Sequence, residues 1–132
     1  MGKTLKLLLD THALLWWWTD DPKLSSASRQ AIADEDNQVL VSAASAWEIA
    51  TKYRLEKSPH AAQALDGFNE LVTADGFEHL SISYLHSLKA GAYSSEHRDP
   101  FDRMLAAQAD LEKAVLVTLD PVFARFQCRV LW

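Results

Sequence analysis

The chain has 132 residues, a length that fits one compact domain, and 48% of them are hydrophobic, enough for a packed core and too many for a disordered chain. The net charge of −5 excludes a protein that binds nucleic acid by bulk positive charge. Cys128 is the only cysteine, so neither an internal disulfide nor a cysteine zinc cage is possible, in keeping with a reducing cytoplasm.

The predicted elements follow in chain order. Residues 6–9 (KLLL) read as a buried strand that ends at Asp10. The short apolar run before that aspartate, with no small-residue cleavage site close behind it, suits a strand better than a secretory leader. No apolar run approaches the roughly 18 residues that span a bilayer. Residues 13–18 are predicted helical and contain three consecutive tryptophans, Trp16, Trp17 and Trp18. On a helix these fan over about 200°, wider than the roughly 100° of a core stripe. At least one is expected to emerge from the core and to meet a partner protein. Asp21-Pro22 breaks the helix, and Ser25 caps another that runs to residue 34.

Residues 38–42 (QVLVS) form a second predicted strand, with Ser42 available to cap a helix over 43–57. Pro59 is expected to stop that helix. A further helix is predicted over 60–73, closed by Asp75-Gly76. A third strand is expected within 77–82, a helix over 83–92, a polar loop over 93–98 and a helix over 100–113. Residues 114–119 (AVLVTL) form a strand that leads to Asp120, and 128–132 an edge strand. Apolar strands without alternation, separated by helices, predict a mainly parallel sheet covered on both faces, an α/β sandwich.

Ligand sites in such sheets lie beyond the carboxyl ends of the strands. Asp10 and Asp120 each end a strand at that edge. Glu48 lies early in the helix after QVLVS. Asp102 lies in the first turn of the helix that must run antiparallel to the strands, which returns it to the same edge. Four clustered carboxylates repel one another, and a hard divalent cation relieves the repulsion; Mg²⁺ suits such oxygen ligands, with Mn²⁺ a substitute. Each acid also has a structural reading. Asp10 or Thr11 caps a helix; Glu48 and Lys52 form an i,i+4 pair; Asp99-Pro100-Phe101-Asp102 is a helix start; Asp120-Pro121 is a turn. The shared rim, not any one acid, carries the signal. His12 and His97 flank the rim, and Lys52, Arg54, Lys57, Arg98 and Arg103 stand near it as candidate phosphate contacts.

LLLDTHALLWW, SAASAWEIATKYRLEK, HRDPFDRMLAAQA and LVTLDPVF, in this order and spacing, resemble the PIN-domain ribonucleases over nearly the whole chain, and most of all the VapC-type toxins of toxin–antitoxin pairs. The resemblance implies a PIN-like three-layer α/β/α sandwich, one PIN domain over 1–132, and Mg²⁺-dependent cleavage of RNA. It further implies acidic metal-site positions at Asp10, Glu48, Asp102 and Asp120, with Thr11 or Thr118 as a hydroxyl neighbour and Asp99 beside the site. The partners it implies are a homodimer and a cognate antitoxin. A haloacid-dehalogenase-type phosphatase is the enzymatic alternative, but it wants a second aspartate where His12 stands. A degraded PIN-like scaffold that only binds a partner is the other.

Overall fold

The computed structural model describes residues 4–56 and 59–132, with His60 described by its backbone alone. Its centre is a five-stranded sheet in the order β3-β2-β1-β4-β5, where β1 is Lys6–Leu9, β2 Gln38–Ser42, β3 Glu78–Leu80, β4 Val115–Val117 and β5 Val130–Leu131. Every neighbouring pair is parallel. The central strand shows why its sequence has no polar alternation. Leu7 and Leu9 point to one face and Leu8 to the other, and all three are fully buried.

Two apolar layers cover those faces. On one side Leu7, Leu9, Val39, Val41 and Val117 meet Leu14 of α1 (Thr11–Trp18), Ile32 of α2 (Ser26–Ala33), Ile49 of α3 (Ala43–Glu56), Ala64 of α4 (Pro59–Asp66) and Val72 of α5 (Phe68–Ala74). On the other, Leu8, Leu40 and Leu116 meet Leu105, Ala106 and Ala109 of α7 (Pro100–Leu111), with Phe123 and Phe126 of a 3₁₀ helix, Pro121–Phe126. The alanines let α7 approach the sheet closely. α6 (Tyr84–Ala92) packs on α7. The expected three-layer sandwich is present, and its sheet is wholly parallel. Among the described residues no helix is long and apolar enough to cross a membrane.

Several boundaries differ from the sequence reading. The helix predicted over 60–73 is two helices, broken at Gly67, a poor helix former whose carbonyl accepts the first bond of α5. Pro59 opens α4 rather than merely stopping α3, because its fixed φ and missing N–H suit a first helical turn. Helix α1 begins at Thr11, two residues earlier than expected, since Asp10 caps it. The 3₁₀ helix after Asp120 was not expected. Lys57, predicted as the last residue of α3, lies outside the described residues.

The three tryptophans do fan around α1, yet none is fully exposed. Trp16 stacks on His12 and meets Trp132 edge-on. Trp17 and Trp18 lie against Phe77 and Phe68, and both indole N–H groups donate to Asp75 at 3.2 and 2.9 Å. All three lie outside the core stripe and stay partly exposed, as the fan of about 200° requires, while contacts within this chain cover part of each ring.

Candidate active site

The chain runs from β1 to β2 and β3 on one side, then returns to β4 on the other side of β1. The β1–β4 boundary is therefore the switch point, the place where sheets of this kind bind ligands beyond the carboxyl ends of their strands. Asp10 leaves β1 there. It is buried, and one carboxylate oxygen accepts the Ala13 N–H at 2.7 Å to cap α1. Burial pushes its pKa from 3.8 to about 6, against the lowering effect of bonds from Thr118 and Ala13; the charges of Glu48 and Asp120 push it further up.

Asp102 stands in the first turn of α7. Asp99 caps that helix, accepting from the N–H groups of Phe101 and Asp102, and Pro100 occupies the first helical position, as the sequence pattern predicts. The Asp102 carboxylate bonds His97 Nε2 at 2.8 Å. Its pKa too is raised to about 6, first by burial, then by the negative charges of Asp99 and Glu48, while His97 opposes the rise.

Glu48 lies on α3, which packs against both α1 and α7. Lys52 sits one turn on, 3.5 Å from the Glu48 carboxylate, and its Nζ is 3.2 Å from His12 Nε2. Burial and the Lys52 charge lower the pKa of His12, while Glu48, Asp102 and Asp120 pull it the other way. His12 thus senses three of the four acids at once. Asp120 is the most open of the four. It caps the 3₁₀ helix through Val122, and its own N–H donates to the Thr118 hydroxyl, the same hydroxyl that neighbours Asp10. Thr11 instead donates to Ser45 Oγ inside the fold. The four acids named from the sequence come from four separate segments; Asp10 feels the charges of Glu48 and Asp120, and Asp102 that of Glu48. Their donor chemistry, carboxylate oxygens alone, fits a hard cation. Among the described residues no three of His, Cys, Asp or Glu are drawn close enough to form a ready cage.

The candidate phosphate contacts divide sharply. Lys52 is at the rim. Arg103 is not available, because its guanidinium donates to the carbonyls of Ala90, Gly91, Tyr93, Ser95 and His97 at 2.7–3.4 Å. A residue expected to hold RNA instead holds the 93–98 loop. Arg54 and Arg98 are exposed and make no ion pair among the described residues, and Lys57 lies outside them. Sequence reasoning passed over one more residue at this rim. Trp47, immediately before Glu48, is 57% exposed and meets Phe101, immediately before Asp102, with ring centroids 4.6 Å apart. The repeated pattern of an aromatic followed by an acid was the available signal.

The profile of the PIN domain family matches residues 7–127. The chain belongs to the PIN-domain family. Ribonuclease VapC22 of Mycobacterium tuberculosis is 33% identical to it over 118 residues, 86% of this chain and 86% of that protein. Ribonuclease VapC16 of the same organism is 35% identical over 68 residues, 52% of this chain and 48% of that protein. Among solved structures, VapBC2 from Rickettsia felis bound to a DNA fragment from their promoter has a TM-score of 0.70 at 19% identity, over 96% of this chain and 98% of that one. VapBC-1 from nontypeable Haemophilus influenzae has a TM-score of 0.68 at 17% identity, over 96% and 97%. These structures share the PIN fold with this chain. Membership in the PIN family sets aside the phosphatase alternative.

Proposed function

We propose that this PIN-domain chain is a metal-dependent endoribonuclease and the toxin of a toxin–antitoxin pair. We further propose that Asp10, Glu48, Asp102 and Asp120 hold one or more Mg²⁺ ions, with Mn²⁺ a substitute. The observation that carries the reading is the convergence of four acids from four segments at the switch point of a PIN-family sheet, two of them with their charge disfavoured. The relatives named as ribonucleases and the neighbours solved as VapBC complexes support it.

The chemistry such a cation supplies is activation of a water and neutralisation of charge on the phosphate. The chain's own groups do the rest. Asp10 is held by Ala13 and Thr118, and Asp102 by His97, so both carboxylates are fixed before RNA arrives. Lys52 brings an ammonium to the Glu48 side of the rim, where a phosphate oxygen can replace the carboxylate as its partner. In the reaction the water oxygen bonds to phosphorus, the bond from phosphorus to the leaving ribose oxygen breaks, and that oxygen gains a proton. The antitoxin, a second copy of this chain and a cytoplasmic setting belong to the same proposal.

The test is cleavage of RNA by the purified chain with MgCl₂, read by sequencing the new 5′ ends. Asp10→Asn and Asp102→Asn are each expected to reduce the rate by more than the roughly 10–100-fold typical of losing a group that only orients a metal ligand. Both should remain folded by circular dichroism. Undiminished cleavage by a folded Asp10→Asn protein, or no cleavage by the parent chain, would count against the reading.

A further inference from the structure

We propose that Trp47, braced edge-on by Phe101, is a stacking platform for one unpaired nucleobase of the RNA beside the acidic rim. The inference rests on the ribonuclease reading in one respect, that RNA reaches this rim. Its ground is the placement of the ring. Trp47 in the second turn of α3 and Phe101 in the first turn of α7 meet with ring centroids 4.6 Å apart, so the pair bridges the two helix starts that also carry Glu48 and Asp102. The ring planes meet at 76°, a T-shaped contact that leaves at least one broad face of the indole free of Phe101. The residue is 57% exposed, although the other four tryptophans are all half-buried against partners within the chain.

A flat aromatic beside carboxylates is poorly suited to a dry protein contact, which would strip water from those charges. Other apolar side chains stand open as well, Tyr84, Leu85 and Leu88 on α6 and Leu55 near the far end of α3, but Trp47 is the one at the helix starts that carry the acids. A nucleobase asks for little more than the exposed indole face. It stacks on an aromatic in any sequence context, and it can do so only when splayed out of a helix.

The experiment measures binding in the Asp10→Asn protein, which leaves the strand intact, with MgCl₂ present. The probes are fluorescent oligoadenylate and an abasic ribose-phosphate strand of equal length and charge. Trp47→Leu is expected to weaken oligoadenylate binding roughly 5- to 100-fold, the loss associated with one base–aromatic stack. Trp47→Phe should retain most of the affinity, and the abasic strand should bind alike with or without Trp47, closing a double-mutant cycle. Equal oligoadenylate affinity after Trp47→Leu, or an equal loss on the abasic strand, overturns the platform. So does a fall in sedimenting mass with RNA affinity unchanged, which would make Trp47 a protein contact. The two readings fail separately. A chain that binds oligoadenylate through Trp47 yet cuts no RNA in its parent form keeps the platform and loses the nuclease. A chain that cuts RNA with KM unchanged by Trp47→Leu keeps the nuclease and loses the platform.

Discussion

Asp10 does two things that oppose each other. As the cap of α1 it satisfies the Ala13 N–H, and as a buried carboxylate it resists ionisation, with a pKa raised from 3.8 to about 6. The sign of the consequence follows from linkage. Below about pH 4 the group is protonated in both folded and unfolded chains and costs nothing. Between about pH 4 and 6 the unfolded chain releases its proton first, so stability falls as pH rises, and above about pH 6 the loss is complete. Asp10→Asn keeps the cap, since Asn caps as well as Asp, and removes the buried charge. In EDTA it should therefore stabilise the fold by about 2–3 kcal/mol near pH 7, because a tenfold change in proton affinity is worth roughly 1.4 kcal/mol, and by almost nothing near pH 4. Urea unfolding at the two pH values checks this; an equal effect at both would show that the charge is not what strains the fold. The capping role of Asp10 and the helix start at Asp99-Pro100 were legible in the sequence because caps are local. That like charges would raise the Asp10 pKa follows from the clustering, but burial as its main cause and the occupied guanidinium of Arg103 were not legible, because the groups responsible are distant in sequence or sit in an irregular loop.

At the scale of elements, the 93–98 loop shows how irregular backbone is held beside a site. Its carbonyls have no helix or strand to pair with, and Arg103, from the first turns of α7, supplies the donors. That clamp also fixes His97, which bonds Asp102. Arg103→Ala is expected to destabilise the chain by about 2–4 kcal/mol, because several carbonyls lose charge-assisted bonds at once. It should also loosen His97 enough to lower RNA cleavage. Arg103→Lys should recover little, since one ammonium cannot reproduce the planar fork. Urea unfolding and initial rates measure the two effects, and a Lys variant equal to the parent would show that charge alone suffices. The sequence marked 93–98 as a polar loop, and nothing local told that one arginine would close it. The break at Gly67 is the reverse case, since the glycine stood in plain view inside a segment read as one helix.

At the scale of the whole molecule, folding itself assembles the acidic rim, so part of the folding free energy opposes the repulsion among Asp10, Glu48, Asp102 and Asp120. A cation that binds the folded chain alone should raise its melting temperature, and further as its concentration grows. Thermal scans in EDTA, MgCl₂ and MnCl₂ test this, with the Asp10→Asn/Asp102→Asn double variant expected to lose most of the response. Equal shifts in both proteins would put the stabilising ion elsewhere. The acidic net charge is compatible with such a site, because several of the negative charges are gathered where a cation would offset them.

The sequence by itself determined the class of fold and the rim to which the acids go. Unalternating strands such as KLLL and VLV can be satisfied only by burial on both faces, and a parallel sheet returns every helix start and strand end of one sense to the same edge. What only the tertiary structure decided is which side chains near that rim are free. Lys52 leans on Glu48 and His12, Arg103 is spent on a loop, the three adjacent tryptophans are each partly covered, and Trp47 is left open. Those outcomes turn on contacts among segments tens of residues apart, formed by geometry that no local pattern of residues encodes.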